Sequence, residues 1–128
     1  MSSSLKNLSD YDHASIPSGK GKKIGVVVSE WNEKITFELM KGCTDTLIQH
    51  GVDQDDIIVS FVPGTFELPF AAKMLAKANH LAGVVCIGCV IKGETKHDEY
   101  INHSVAQALQ TLNINFDIPF IFGVLTPN

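Results

Sequence analysis

The stretch "KKIGVVVSE", Lys22 to Glu30, gives way to "KITFELMKGCTDTLIQHG", and this change of period limits the chain more than any other feature. The first run is short, β-branched and apolar without alternation, as a strand buried on both faces of a sheet must be. In the second, Ile35, Leu39, Met40, Cys43 and Leu47 recur at helical spacing, which predicts a helix from about Glu33 to His50, closed by Gly51. The switch then repeats. "DIIVSFV" reads as a strand over Asp56 to Val62, and "PGT" as a turn. "FELPFAAKMLAKAN" reads as a helix, with Leu68, Ala72, Leu75 and Ala76 on one face. Pro69 falls in its first turn, where a missing N–H costs nothing. "LAGVVCIGCVI" is a third strand. A helix from about His97 to Leu112 follows, with Ile101, Val105, Ala108, Leu109 and Leu112 inward, and "PFIFGVL" is a fourth strand. The order β-α-β-α-β-α-β predicts an α/β domain, a three-layer αβα sandwich on a four-stranded parallel sheet of the flavodoxin-like kind, with right-handed crossovers. Such sheets bind ligands outside the carboxyl ends of their strands. The segments to inspect are therefore "SEWNEK", "VPGTFE", "IKGETKH" and "GVLTPN".

A length of 128 residues fits one domain over 22–128, preceded by a polar arm over 1–21 that is expected to be flexible. The glycines of "PSGKGKK" precede a strand and lack phosphate-loop spacing. Net charge is −4 and all ten basic residues are lysines, which argues against a nucleic-acid partner. No run is long and apolar enough for a membrane span, and "MSSSLKNLSD" has no secretory core, so the cytoplasm is the expected location. Three cysteines do not make a disulfide framework. In "CIGC", Cys86 and Cys89 lie three apart on a strand and face opposite sides, so they read as core residues and not as a redox pair or half a zinc site. No metal-binding string or nucleophile elbow is present, and no metal is predicted.

At the first strand end stand Trp31, the sole tryptophan, and Asn32. Trp31 reads either as a staple against the following helix or as a plate for a flat ligand. At the second stand Gly64, Thr65 and Glu67. Thr65 reads as a helix cap with Glu67 in the first turn, and the same pair can also hold a polyol or an amide. At the third, Gly93 permits a bend, and Glu94, Thr95 and Lys96 open a helix whose N–H groups suit an anion. His97 beside them can transfer protons near neutral pH, or it is an ordinary surface residue after a Thr95 cap.

Taken together, "EWNEKIT…LMKGC", "VPGTFELPFAAK", "GCVIKGETKHDEYI" and "PFIFGVLT" resemble the lumazine synthases, in order and spacing, from about Lys22 to Asn128. The resemblance implies condensation of 5-amino-6-ribitylaminouracil with 3,4-dihydroxy-2-butanone 4-phosphate to 6,7-dimethyl-8-ribityllumazine, the penultimate step of riboflavin biosynthesis, with no cofactor. It implies sites shared between subunits of a homo-oligomer (a pentamer, a decamer or a shell of sixty), with riboflavin synthase as a further partner. By resemblance, Trp31 stacks on the pyrimidine, and Asn32, Thr65 and Glu67 meet the ribityl chain together with the backbone of Gly64 and Phe66. Cys89, Val90 and Ile91 flank the uracil edge, the last two through main-chain bonds. Gly93, Glu94 and Thr95 cradle the phosphate, His97 transfers protons, and Phe122 is supplied by a neighbouring subunit. The family continues past the position of Asn128 with a helical segment carrying a phosphate-binding arginine and a lysine near the uracil. "LTPN" reads as the approach to such a helix, and three helices would leave part of one sheet face bare. Two other readings fit the same fold: a shell-forming paralogue with impaired catalysis, and a module that binds a flavin or lumazine without turnover.

Overall fold

The four strands form one parallel sheet in the order β2-β1-β3-β4 in the computed structural model, which describes residues 10–93 and 96–127. They are β1 (Ile24–Ser29), β2 (Ile57–Val62), β3 (Gly83–Cys89) and β4 (Phe120–Leu125), alternating with α1 (Glu33–Gln49), α2 (Leu68–Ala78) and α3 (His97–Asn115). Ile24 of β1 pairs with Ile57 of β2 on one side and Gly83 of β3 on the other, and Val84 pairs with Phe120. This is the expected αβα sandwich.

Strand order and helix placement have one cause. The chain moves from β1 outward to β2, then returns past β1 to β3 and β4. With crossover hand constant, a reversal of direction puts the connecting helices on opposite faces. Val27, Val84, Cys86 and Phe120 pack with Leu68, Ala72, Val105, Leu109 and Leu112, so α2 and α3 share one face. Val26, Val28 and Ile87 pack with Phe37, Met40, Cys43 and Leu47 of α1 on the other. Among the described residues that face has one helix for four strands, and Ile121 and Leu125 of β4 are 49% and 46% exposed.

Local chemistry moves several boundaries. In α1 it is Thr36, fully buried, and not Ile35, that meets the sheet, because its Oγ1 donates to the Ser29 carbonyl at 2.7 Å. The β3 ladder ends at Cys89, shorter than the apolar run, although Val90 N–H still donates to Leu125 O (2.9 Å) and Lys92 N–H to Pro127 O (3.0 Å). The helix α3 runs on to Asn115, and Asn113 clasps its end to β4. The Asn113 amide donates to Phe120 O (3.3 Å) while its Oδ1 accepts from Phe120 N–H (2.5 Å). Within the N-terminal arm, Asp12 caps a short turn at His13–Ser15, Tyr11 stacks on His13, and the Tyr11 hydroxyl pairs with His50 Nε2 at 2.8 Å. Gly19 N–H donates to His50 O at 2.7 Å. No helix among the described residues is long and apolar enough to cross a membrane.

Candidate active site

Because β2 and β3 lie on opposite sides of β1, the chain leaves the carboxyl ends of β1 and β3 in opposite directions, and a crevice opens between them. The β1–β2 pairing continues past both strands: Glu30 N–H donates to Val62 O (2.8 Å) and Trp31 N–H to Pro63 O (2.9 Å). This brings the indole level with Gly64. A Cβ on Gly64 would stand 2.7 Å from Trp31 Cε3 and 2.9 Å from Cζ3, so the ring lies directly over the bare glycine. Trp31 is nevertheless 66% exposed, which makes it a wall of the crevice and not a buried staple. Asn32 turns the chain into α1 in the left-handed region (φ 64°), a conformation that asparagine tolerates better than most residues. Its Nδ2 donates to the Cys89 carbonyl at 3.2 Å.

Thr65 points to the same atom. Its buried hydroxyl donates to Cys89 O at 3.4 Å, so Thr65 is not the helix cap that its position suggests. Gly64 occupies that place, ahead of a short turn at Thr65–Glu67, and its N–H is taken by Glu67 Oε1 at 2.9 Å. One cavity of about 200 Å³ results, walled by Trp31, Asn32, Thr65 and Phe66 on one side, by the backbone run Cys89–Ile91 below, and by His97 and Ile101 of α3 opposite. It opens into a larger space of about 630 Å³ between Trp31, Phe66, Glu67 and the α3 residues His97, Tyr100 and Ser104. His97 is the first residue of α3 and reaches both. An aromatic plate, side-chain hydroxyl and carboxylate groups, a strip of main chain and an imidazole thus line two spaces that share Trp31, Phe66 and His97.

The sequence model of the 6,7-dimethyl-8-ribityllumazine synthase family matches residues 21–128. The chain belongs to the lumazine synthase family. A 6,7-dimethyl-8-ribityllumazine synthase of Porphyromonas gingivalis is 51% identical over 126 residues, covering 98% of this chain and 78% of the relative. Those of Parabacteroides distasonis and Phocaeicola vulgatus are 47% and 41% identical, over 98% and 100% of this chain and 79% and 76% of their own. Lumazine synthases are transferases of the penultimate step of riboflavin biosynthesis, which is the enzyme class read from the sequence.

Of the residues singled out in the sequence, Trp31, Asn32, Thr65, Phe66, Cys89, Val90, Ile91 and His97 meet in the first cavity, and Glu67 joins in the second. Gly93 lies exposed in the loop between β3 and α3, while Glu94 and Thr95 fall outside the described residues. Phe122 is elsewhere, in a groove of about 580 Å³ between β4 and α3 with Asn102, His103 and Gln107. Val90 N–H and Lys92 N–H both face β4, so the alternating strand geometry turns the groups of Ile91 toward the crevice. Ile101 and Tyr100 were not legible as site residues. Ile101 reads as core from its spacing and does pack there, and only its position one helical turn after His97 hints at the cavity. Cys86 is buried with its thiol pushed up to about 12 by desolvation, and burial raises Cys43 and Cys89 as well. All three are free thiols. Among the described residues no three His, Cys, Asp or Glu side chains come together to hold a metal.

Proposed function

We propose that the crevice between β1 and β3 joins 5-amino-6-ribitylaminouracil to 3,4-dihydroxy-2-butanone 4-phosphate, giving 6,7-dimethyl-8-ribityllumazine, phosphate and water. The observation that carries this reading is the meeting of Trp31, Thr65, Ile91 and His97, from four separate segments, around one cavity. Trp31 stacks on the pyrimidine, and the outward main-chain groups of Ile91 bond its edge. Thr65 and Glu67 receive the ribityl chain. Gly93, Glu94 and Thr95, which precede α3 in the sequence, hold the phosphate together with the helix start, where backbone N–H groups attract anions.

His97 then stands between the phosphate end and the ring. The amine adds to the ketone and water leaves to form an imine. Phosphate is eliminated, and the ring closes with loss of further water. Every step moves a proton, and both substrates are reactive, so orientation and one proton-transfer group suffice.

Phe122 lies away from this cavity and is 44% exposed, which supports its role in the cavity of another copy within a homo-oligomer such as a pentamer. The test is to mix both substrates with the protein and follow lumazine absorbance, with sedimentation on the same sample. Turnover by an oligomer is expected. Tight lumazine binding without turnover would reduce the protein to a binding module, and full activity in a monomer would remove the role of Phe122.

A further inference from the structure

We infer that Gly88 is a positioning residue for this site: its missing side chain gives Thr65 the room to hold the end of β3. Gly88 lies in β3 on the face shared by Val84 and Cys86, where the sheet meets the α2–α3 layer. A Cβ there would stand 2.6 Å from Thr65 Oγ1, 3.1 Å from Thr65 Cγ2 and 3.1 Å from Leu68 Cδ1. Its backbone is not in the left-handed region, so space alone, and not conformation, calls for glycine. Glycine inside a strand is destabilising relative to alanine, and a buried core position ordinarily takes a larger residue. Thr65 is itself buried and Leu68 behind it is fully buried, so the side chain has no room to rotate clear and relief requires the turn itself to shift.

Three strand ends meet at this point. Asn32 arrives from β1 and Thr65 from β2, and both donate to the carbonyl of Cys89, the residue after Gly88. That carbonyl fixes the direction in which the chain leaves β3, and so where Ile91 presents its groups. A methyl on Gly88 pushes Thr65 out of the bond and carries with it the turn bearing Phe66 and Glu67, both of which wall the cavity. The inference rests on the proposed contact of Thr65 with the ribityl chain.

The test uses Trp31, the sole tryptophan, as reporter: its emission is titrated with 6,7-dimethyl-8-ribityllumazine in the assembled protein. Gly88→Ala and Thr65→Ala are each expected to weaken binding about tenfold, the scale of one lost hydrogen bond. The double variant is expected to bind no worse than Thr65→Ala, because the methyl then meets no threonine. Additive losses would overturn the inference and leave Thr65 as a ligand contact, as would normal binding by Gly88→Ala beside weakened Thr65→Ala. Parental binding by Thr65→Ala would instead remove the ribityl contact itself, and the inference with it. If Gly88→Ala fails to fold, recovery of the fold in the double variant supports the collision with Thr65. Failure of both assigns the collision to Leu68 and overturns it.

Discussion

Replacing Gly64 by alanine should damage ligand binding while leaving the fold intact. The backbone of Gly64 (φ −140°, ψ 176°) is extended and open to any residue, so alanine brings no conformational strain. The added methyl would lie 2.7 Å and 2.9 Å from two atoms of the Trp31 ring, against the roughly 3.5–4.0 Å of ordinary carbon contact. The indole must therefore retreat by about 1 Å, and at 66% exposure nothing opposes the movement. Gly64 is buried, but the group its methyl would crowd is exposed and can yield, so stability should change by less than about 1 kcal/mol. Binding should fall about 2- to 10-fold, corresponding to loss of the roughly 0.5–1.5 kcal/mol that a stacked aromatic pair contributes beyond its area. Product titration, read at the lumazine absorbance, gives the affinity, and thermal denaturation gives the stability. A variant that binds as the parent does, with unchanged Trp31 emission, would show that the ring's seat over Gly64 is irrelevant to the ligand. A variant that unfolds would show that Trp31 holds the turn together, the staple role that its exposure argues against.

His97→Ala should lower turnover by roughly 10- to 1000-fold, the lower part falling under the usual acid–base range because reactive substrates retain a background route, while product affinity stays near the parental value; a parental rate in the assembled variant would remove the proton-transfer role. Thr36→Val keeps the shape of the side chain but withdraws the donor from Ser29 O, and should cost about 1–3 kcal/mol in denaturant titration. Cys86 has its thiol raised from 9.0 to about 12, so the folded state favours the protonated form. The resulting stability is fully present below pH 9, and falls as pH rises from about 9 toward about 12 as the unfolded chain gains the thiolate. Melting scans across that window should show a steeper alkaline loss in the parent than in Cys86→Ala, and equal slopes would refute the desolvation.

The strand–helix alternation was legible because buried parallel strands and amphipathic helices have different periods. The location of the candidate site followed from it, since the crevice rule depends only on the direction of the strands. What the sequence hid was which partner each polar group takes. Thr65 has the spacing of a cap, yet its hydroxyl turns inward to Cys89 O, because Gly64 and Glu67 already close the turn. Thr36 looks like an interruption in an apolar face and is in fact its most buried member, since a hydroxyl bonded at 2.7 Å is accepted by the core. Gly88 is one glycine among ten, and only the distance to Thr65 shows what it is for. Phe122, which the resemblance assigns to the site of a neighbouring copy, sits half open in a groove, because β4 lies at the edge of the sheet.

That edge has a consequence for how copies of this chain can meet. A strand with one neighbour offers its outer N–H and C=O groups as a template, and sheets that grow by such pairing end in fibres. In β4 the first outward pair belongs to Phe120, and the Asn113 amide already satisfies both of its groups. The alternation of a six-residue strand leaves only Phe122 and Val124 facing outward beyond it. An incoming strand would find two residues to pair with instead of three, with a helix-borne side chain across its path. Asn113 therefore acts as a stopper at this edge: it shortens the stretch of β4 that could serve as a template for a further strand.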